Sequence, residues 1–115
     1  MKKTQNLIRL ALAEDIGTGD ITTSSIIPDR LRSKAKIIAK ESGIVCGIDI
    51  ADQVFRSVNR KIRLVKKVKD GAKVIKGTVL AIIGGPTRGI LTAERTALNF
   101  IQKLSGVATL TAKFV

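Results

Sequence analysis

The stretch TAERTALNFIQKLSG, from Thr92 to Gly106, decides the fold of this chain because it predicts a long amphipathic helix. At helical spacing its apolar side chains share one broad arc that would pack on a core. Thr92 is placed to cap the helix, and Glu94 then lies in the first turn, where the helix dipole favours a carboxylate. Glu94 also falls inside the apolar arc, so we expect it to have a partner, either a first-turn N–H group or an arginine. The apolar arc consists of Ala93, Ala97, Leu98, Phe100, Ile101 and Leu104.

The opposite face of this predicted helix is polar. Arg95, Asn99 and Lys103 recur every fourth residue, so their side chains point the same way. The planar fork of Arg95 matches a carboxylate or a phosphate, and a helix N-terminus close to it would favour the same ligands. From the pattern alone, a solvated helix face is the commoner explanation and an anion site is the alternative.

The rest of the chain predicts an α+β domain of short strands and helices. Its strands are brief and separated by glycine turns, at Asp70-Gly71 and Lys76-Gly77, in the manner of small barrel-sandwich domains. Gly84-Gly85-Pro86 is expected to end the last of these strands. The predicted order is a helix at Thr4–Asp15, a loop at Gly17–Asp29, strands at Ser33–Gly43 and Ile44–Cys46, a helix at Ile48–Val58, and strands at Lys61–Val68 and Thr78–Ile83.

The end of the chain, Gly106 to Val115, predicts the start of one more helix. An apolar helix is not expected to finish at a bare C-terminus. Residues 107–115 are therefore interpreted as the beginning of a link to a further part of the protein.

Charge and composition narrow the classes of partner. The 115 residues suit one domain, and 21 Lys and Arg against 9 Asp and Glu give a net charge of +12, which favours anionic partners. The chain has no His, so the commonest general base and metal ligand is missing. Cys46 is the only cysteine, which excludes an intrachain disulfide and is typical of a reducing compartment. Nothing nearby would activate Cys46, so we interpret it as a small core residue.

Two further classes of partner are disfavoured. No segment has transmembrane length or a convincing cleavage site, so we expect a cytoplasmic protein with no membrane partner. Three Phe, no Trp and no Tyr leave few stacking platforms for nucleic acid, and no recognition motif is present. The basic stretch from Lys61 to Lys69 is interpreted as a solubilising strand face rather than a source of steering charge.

Two segments of the sequence resemble a known family. ALAEDIGTGDITT, Ala11 to Thr23, and ILTAERTALNFIQKLSGVATLT, Ile90 to Thr111, closely resemble the N-terminal part of quinolinate phosphoribosyltransferase, also called nicotinate-nucleotide pyrophosphorylase (carboxylating). Two segments between them, ESGIVCGIDIADQVF and KDGAKVIKGTVLAIIGG, are similar to the same family in the same order. The resemblance implies that residues 1–115 form an N-terminal open sandwich with flanking helices, and that the family's C-terminal α/β barrel is absent.

The resemblance also implies a function. Members of the family convert quinolinate and phosphoribosyl pyrophosphate to nicotinate mononucleotide, carbon dioxide and pyrophosphate in NAD biosynthesis, and magnesium accompanies phosphoribosyl pyrophosphate at the barrel. They form homodimers or higher oligomers in which the N-terminal domain of one subunit covers the barrel mouth of another. Arg95 matches the arginine of the ER-x-ALNF block that holds the substrate in the partner's active site.

The resemblance places the remaining substrate-binding and metal-binding residues in the barrel. We therefore expect no catalytic, cofactor-binding or metal-binding residue in these 115 residues, and no activity from them alone. Three alternatives stay open at this point. They are a basic nucleic-acid-binding module, a non-catalytic oligomerisation module, and a related phosphoribosyltransferase-like protein that acts on another anionic substrate.

Overall fold

A computed structural model describes residues 3–14 and 27–115 of the chain. Helix α1 covers residues 3–14, in agreement with the first predicted helix, whereas most of the predicted loop at Gly17–Asp29, with Gly17 and Gly19, lies outside the described residues. The other elements are β1 (Arg32–Ala39), β2 (Gly43–Ile44), α2 (Ile48–Val58), β3 (Arg63–Lys66), β4 (Lys73–Val74), β5 (Val79–Pro86), α3 (Thr87–Leu104) and β6 (Leu110–Phe114).

The main sheet is antiparallel, with strand order β3-β5-β1-β6. Its inner face packs under α2 and α3, which also pack on each other, and its outer face has no helix of the described residues over it. Ala35, Ile37 and Ala39 of β1 are fully buried on the inner face, as their alternation with lysines predicts. Strands β2 and β4 form a second, two-stranded sheet. The arrangement confirms the predicted α+β open sandwich.

Helix α2 has the predicted bounds because its apolar residues recur at helical spacing. Ile48, Ala51, Val54 and Phe55 are fully buried, and Asp49 lies in the first turn. The N–H groups of Ile48 and Asp49 donate hydrogen bonds of 2.8 and 3.3 Å to the carboxylate of Asp70, a residue far away in the sequence. The Asp70-Gly71 turn thus caps α2, a role that the sequence pattern did not reveal.

Helix α3 begins at Thr87 and not near Thr92, so the predicted start was wrong. Gly84-Gly85-Pro86 belong to β5 instead of stopping it, and Pro86 is the residue that precedes the helix. The early start is fixed by contacts with β1: the Thr87 N–H donates to the Leu31 carbonyl at 2.8 Å, and the Thr87 and Ser33 hydroxyls lie 2.6 Å apart. Consequently Thr92 is an interior helical residue and does not cap α3.

The predicted final helix at Gly106–Val115 was also wrong, because β6 forms there. Leu110 and Ala112 alternate with Thr111 and Lys113, and the strand pairs along β1, with Ala112 opposite Ile37. Strand pairing satisfies the backbone of this segment and buries Leu110 on the inner face. The interpretation of residues 107–115 as the start of a link stays a prediction.

The chain leaves α3 through a close contact between two glycines. A Cβ atom built on Gly43 would lie only 2.6 Å from the carbonyl oxygen of Gly106, and the Gly106 N–H donates to the Ile44 carbonyl at 2.8 Å. The Ser105 hydroxyl accepts from the Cys46 N–H and donates to the Cys46 carbonyl, both at 2.7 Å. Because backbone meets backbone here, no side chain fits at Gly43.

Replacing Gly43 with alanine is therefore expected to destabilise the fold. The added methyl group forces the 105–109 segment away from β2, at a cost of about 1–3 kcal/mol in the free energy of unfolding. Urea denaturation of Gly43→Ala against the original chain measures this cost. Gly106→Ala is the matched control, since its Cβ would come no closer than 3.5 Å to Ile44. Equal destabilisation by both substitutions would contradict the role given to Gly43.

Candidate functional site

Arg95 lies in the middle of α3 and its side chain is exposed. The helix starts at Thr87, about two turns before Arg95, so Arg95 is not at the positive end of the helix dipole, which acts only over the first turn. The predicted contribution of the helix N-terminus to an anion site was therefore wrong. Any attraction for an anion at this position comes from the guanidinium itself.

A shallow groove of about 450 Å³ surrounds Arg95. Asn99, one helical turn further along, is exposed beside it as predicted, whereas Lys103 is exposed but does not line the groove. Arg95 is exposed, and among the described residues no carboxylate pairs with it. The groove is lined by Glu94, Arg95, Leu98, Asn99 and Gln102.

The backbone under Arg95 is held firmly because the opposite face of α3 is in the core. Ala93, Thr96, Ala97 and Ile101 are buried against α2 and the sheet. At the far end of the helix the Gln102 side-chain oxygen accepts from the Leu110 N–H at 3.3 Å, which joins α3 to β6. Of the predicted apolar arc, Ala93, Ala97 and Ile101 are buried, Leu98 and Phe100 are partly buried, and Leu104 is half exposed, while Thr96 joins the buried face. Because the inner face of α3 is packed against the core, the backbone of Arg95 has a fixed position.

Glu94 lies beside Arg95 and is half-buried. Among the described residues the predicted partner is absent: the first-turn N–H groups are one to two turns away, and none of these residues donates a hydrogen bond or forms an ion pair with this carboxylate. Burial without compensation raises the pKa of the Glu94 carboxyl above its ordinary value. The groove thus offers a guanidinium, two amides and one carboxyl that takes up a proton more readily than usual.

The guanidinium and the two amides of the groove are groups that can donate hydrogen bonds to an anion. Within residues 3–14 and 27–115, no three His, Cys, Asp or Glu side chains come together in a way that could hold a metal ion. In the same ranges no helix is long and apolar enough to cross a membrane.

The basic stretch from Lys61 to Lys69 does not converge on this groove. Its most constrained member is Lys66, whose ammonium donates to the Asp49 carboxylate at 2.9 Å, and this hydrogen bond raises the Lys66 pKa. Cys46 is half-buried, and its backbone is bound by Ser105. Neither feature adds a functional group to the groove.

Comparison with known proteins identifies the family. The family described as "Quinolinate phosphoribosyl transferase, N-terminal domain" matches residues 20–105, which include β1 and all of α3. The chain belongs to this family. The match confirms the resemblance that the ER-x-ALNF block indicated.

Relatives agree along the chain but are much longer. "Quinolinate phosphoribosyltransferase [decarboxylating] 1b" of Nicotiana tabacum is 43% identical over 108 residues, which are 93% of this chain and 31% of the tobacco protein. "Probable nicotinate-nucleotide pyrophosphorylase [carboxylating]" of Bacillus subtilis is 39% identical over 111 residues, 96% of this chain and 38% of that protein. The chain thus spans about a third of the length of these relatives.

A solved structure confirms the fold. The crystal structure of NadC from Streptococcus pyogenes superposes with a TM-score of 0.85 at 32% sequence identity, over 90% of this chain and 37% of that one.

The sequence pattern predicted Arg95 and Asn99 on the exposed face of α3, where they line the groove. It did not predict that Leu98 also lines the groove or that Gln102 joins α3 to β6. Leu98 follows Arg95 by three residues and Gln102 follows Leu98 by four, and this spacing would have indicated that all three lie on one side of α3.

The unpartnered carboxyl predicts a pH dependence. Since the folded-state pKa of Glu94 is raised, the folded chain holds the proton more tightly, and stability falls as pH rises through the raised value. Glu94→Gln should therefore stabilise the fold at about pH 7 by no more than about 1 kcal/mol, because the group is still partly solvated, and should have no effect at about pH 3.

Urea denaturation at the two pH values measures this difference. The original chain, measured at the same two pH values, is the control for the general pH dependence of the fold. A Glu94→Gln variant that is less stable at neutral pH would show that the carboxylate has a stabilising partner after all.

Proposed function

We propose that this chain is the N-terminal, substrate-covering and dimerisation domain of an enzyme that converts quinolinate and phosphoribosyl pyrophosphate to nicotinate mononucleotide, carbon dioxide and pyrophosphate. The observation that carries the proposal is Arg95, an exposed guanidinium without a partner among the described residues, on a helix whose other face is buried. It lies within the matched family segment and in the ER-x-ALNF block. NAD biosynthesis is the pathway that this reaction serves.

The chemistry of the substrate fits the side chain. Quinolinate carries two carboxylates, and a guanidinium fork binds a carboxylate through two parallel N–H···O hydrogen bonds. Such bonds to a charged group contribute about 1.5–3 kcal/mol each. A net charge of +12 also raises the local concentration of both anionic substrates around the domain.

The shape of the groove supports a covering role. Ligand sites enclose most of a small molecule, whereas the groove at Arg95 is shallow and offers one cation on one wall. Tight binding of a dicarboxylate therefore needs a second wall with further cations. In the proposal the barrel of a partner subunit supplies that wall, together with the remaining substrate-binding groups and the magnesium ion, and the 115 residues alone do not catalyse the reaction. A cytoplasmic location stays a prediction.

Substitution of Arg95 in the full-length enzyme tests the proposal. Arg95→Ala should weaken quinolinate binding by about tenfold to about a hundredfold, since a charged hydrogen bond is lost. The measurement is the quinolinate KM and the turnover of the purified enzyme. Lys103→Ala removes a cation from the same side of α3 but outside the groove, and should change neither value more than about twofold. Unchanged quinolinate affinity and turnover in Arg95→Ala would refute the role of Arg95.

A further inference from the structure

The outer face of the main sheet carries a second, independent cluster of cations. In the register of the sheet, Arg63 of β3 lies opposite Gly84 of β5, which in turn lies opposite Lys34 of β1. Neighbouring strands are about 4.8 Å apart, so the Cα atoms of Arg63 and Lys34 are about 10 Å apart with Gly84 between them. Because Gly84 has no side chain, the row contains a notch with a cation on either side.

Neither backbone conformation nor packing requires a glycine at this position. The next residue, Gly85, does require one: its φ is +145°, and a Cβ there would lie 2.9 Å from the Ile62 Cα. Gly84 has no such φ, and a Cβ would meet only the Lys34 Cγ at 3.8 Å, an ordinary contact. Glycine inside a strand weakens it and often marks the close approach of a ligand or another chain.

The notch lies in a groove of about 690 Å³ on the outer face. The cations around it come from β1, from β3 and from the turn before β3, and no acidic residue is among the described residues that line it. None of these cations forms an ion pair with another described residue. The four cations are Arg32, Lys34, Lys61 and Arg63.

The surroundings of the notch add an apolar floor and more positive charge. Val65 and Ile82 lie next to it on the same face, and Val65 is 54% exposed. One row further along, Lys36 lies directly opposite Lys113, an arrangement of like charges that destabilises a sheet. A face that accumulates uncompensated cations beside accessible apolar side chains is suited to an anionic ligand that also has an apolar part.

We propose that the notch over Gly84 binds the phosphate group of a small phosphorylated molecule, with Arg63 and Lys34 as donors from its two sides. Phosphate oxygens that rest on the bare backbone of Gly84 lie between both cations, and a side chain at position 84 would occupy their place. Val65 and Ile82 then contact the apolar part of the same molecule. The helices lie against the other face of the sheet, so this site is separate from the groove at Arg95 and does not depend on the proposed transferase function.

Calorimetric titration of the 115-residue chain with inorganic pyrophosphate, at about 150 mM salt to screen non-specific attraction, tests the site. We expect saturable binding with one molecule per chain. Arg63→Gln and Lys34→Gln should each weaken it about tenfold, the loss of one charged hydrogen bond. Lys73→Gln, which removes an equal charge from an exposed position in β4, should weaken it less than about twofold.

Gly84→Val is the decisive variant because it fills the notch and leaves every cation in place. Valine favours strands, so thermal unfolding should show equal or higher stability, while pyrophosphate binding is lost. If Gly84→Val does not fold, the two glutamine variants decide. Absence of saturable binding, an equal effect of Lys73→Gln, full binding by folded Gly84→Val, or binding of an acidic peptide but not of pyrophosphate would overturn the proposal.

Discussion

The contact between Gly43 and Gly106 is the constraint on which the rest of the structure depends. It lets the chain that leaves α3 lie directly on β2, and Ser105 adds two hydrogen bonds to the backbone of Cys46. From this point the chain runs back along the edge of β1 that β5 does not occupy, so β6 forms where the apolar pattern predicted a helix. The same contact fixes the end of α3, and the Thr87 contacts with β1 fix its start.

Fixing both ends of α3 determines what its outer face can do. The helix is long, its inner face is in the core, and Arg95 lies midway between two anchored ends. Because the backbone of Arg95 is fixed, less conformational entropy is lost when its long side chain is held toward a ligand. The adjoining Glu94 is held without a partner, and its raised pKa is a consequence of the same packing. The cationic outer face of the sheet, by contrast, owes its character to strand register.

The spacing of apolar residues was enough to predict α2 and the buried face of β1. It was not enough where an element is determined by hydrogen bonds to backbone that is far away in the sequence. The spacing of Ile48, Ala51 and Phe55 gave α2 its bounds, and the alternation of Ala35 and Ile37 gave β1 its inner face. The start of α3 depends on Leu31 and Ser33, more than fifty residues away, and the strand after Gly106 depends on the edge of β1. The residues of these two segments therefore do not by themselves indicate the helix start or the strand. Arg95 could be singled out from its motif, but its distance from the helix N-terminus could not.

Mixing of subunits is the most direct test of whether Arg95 acts in the active site of a neighbouring subunit. Two forms of the full-length enzyme are combined, one impaired by Arg95→Ala and the other inactivated in its barrel, and both are assayed at a quinolinate concentration at which the Arg95→Ala form alone has little activity. If Arg95 serves the partner's barrel, mixed dimers contain one site with both an intact barrel and an intact Arg95, and transferase activity returns. If Arg95 serves the barrel of its own chain, every site in the mixture stays defective, and the absence of recovered activity in confirmed mixed dimers would contradict a role in the neighbouring subunit. An Arg95→Ala enzyme that is already fully active before mixing would contradict any role of Arg95 in the active site.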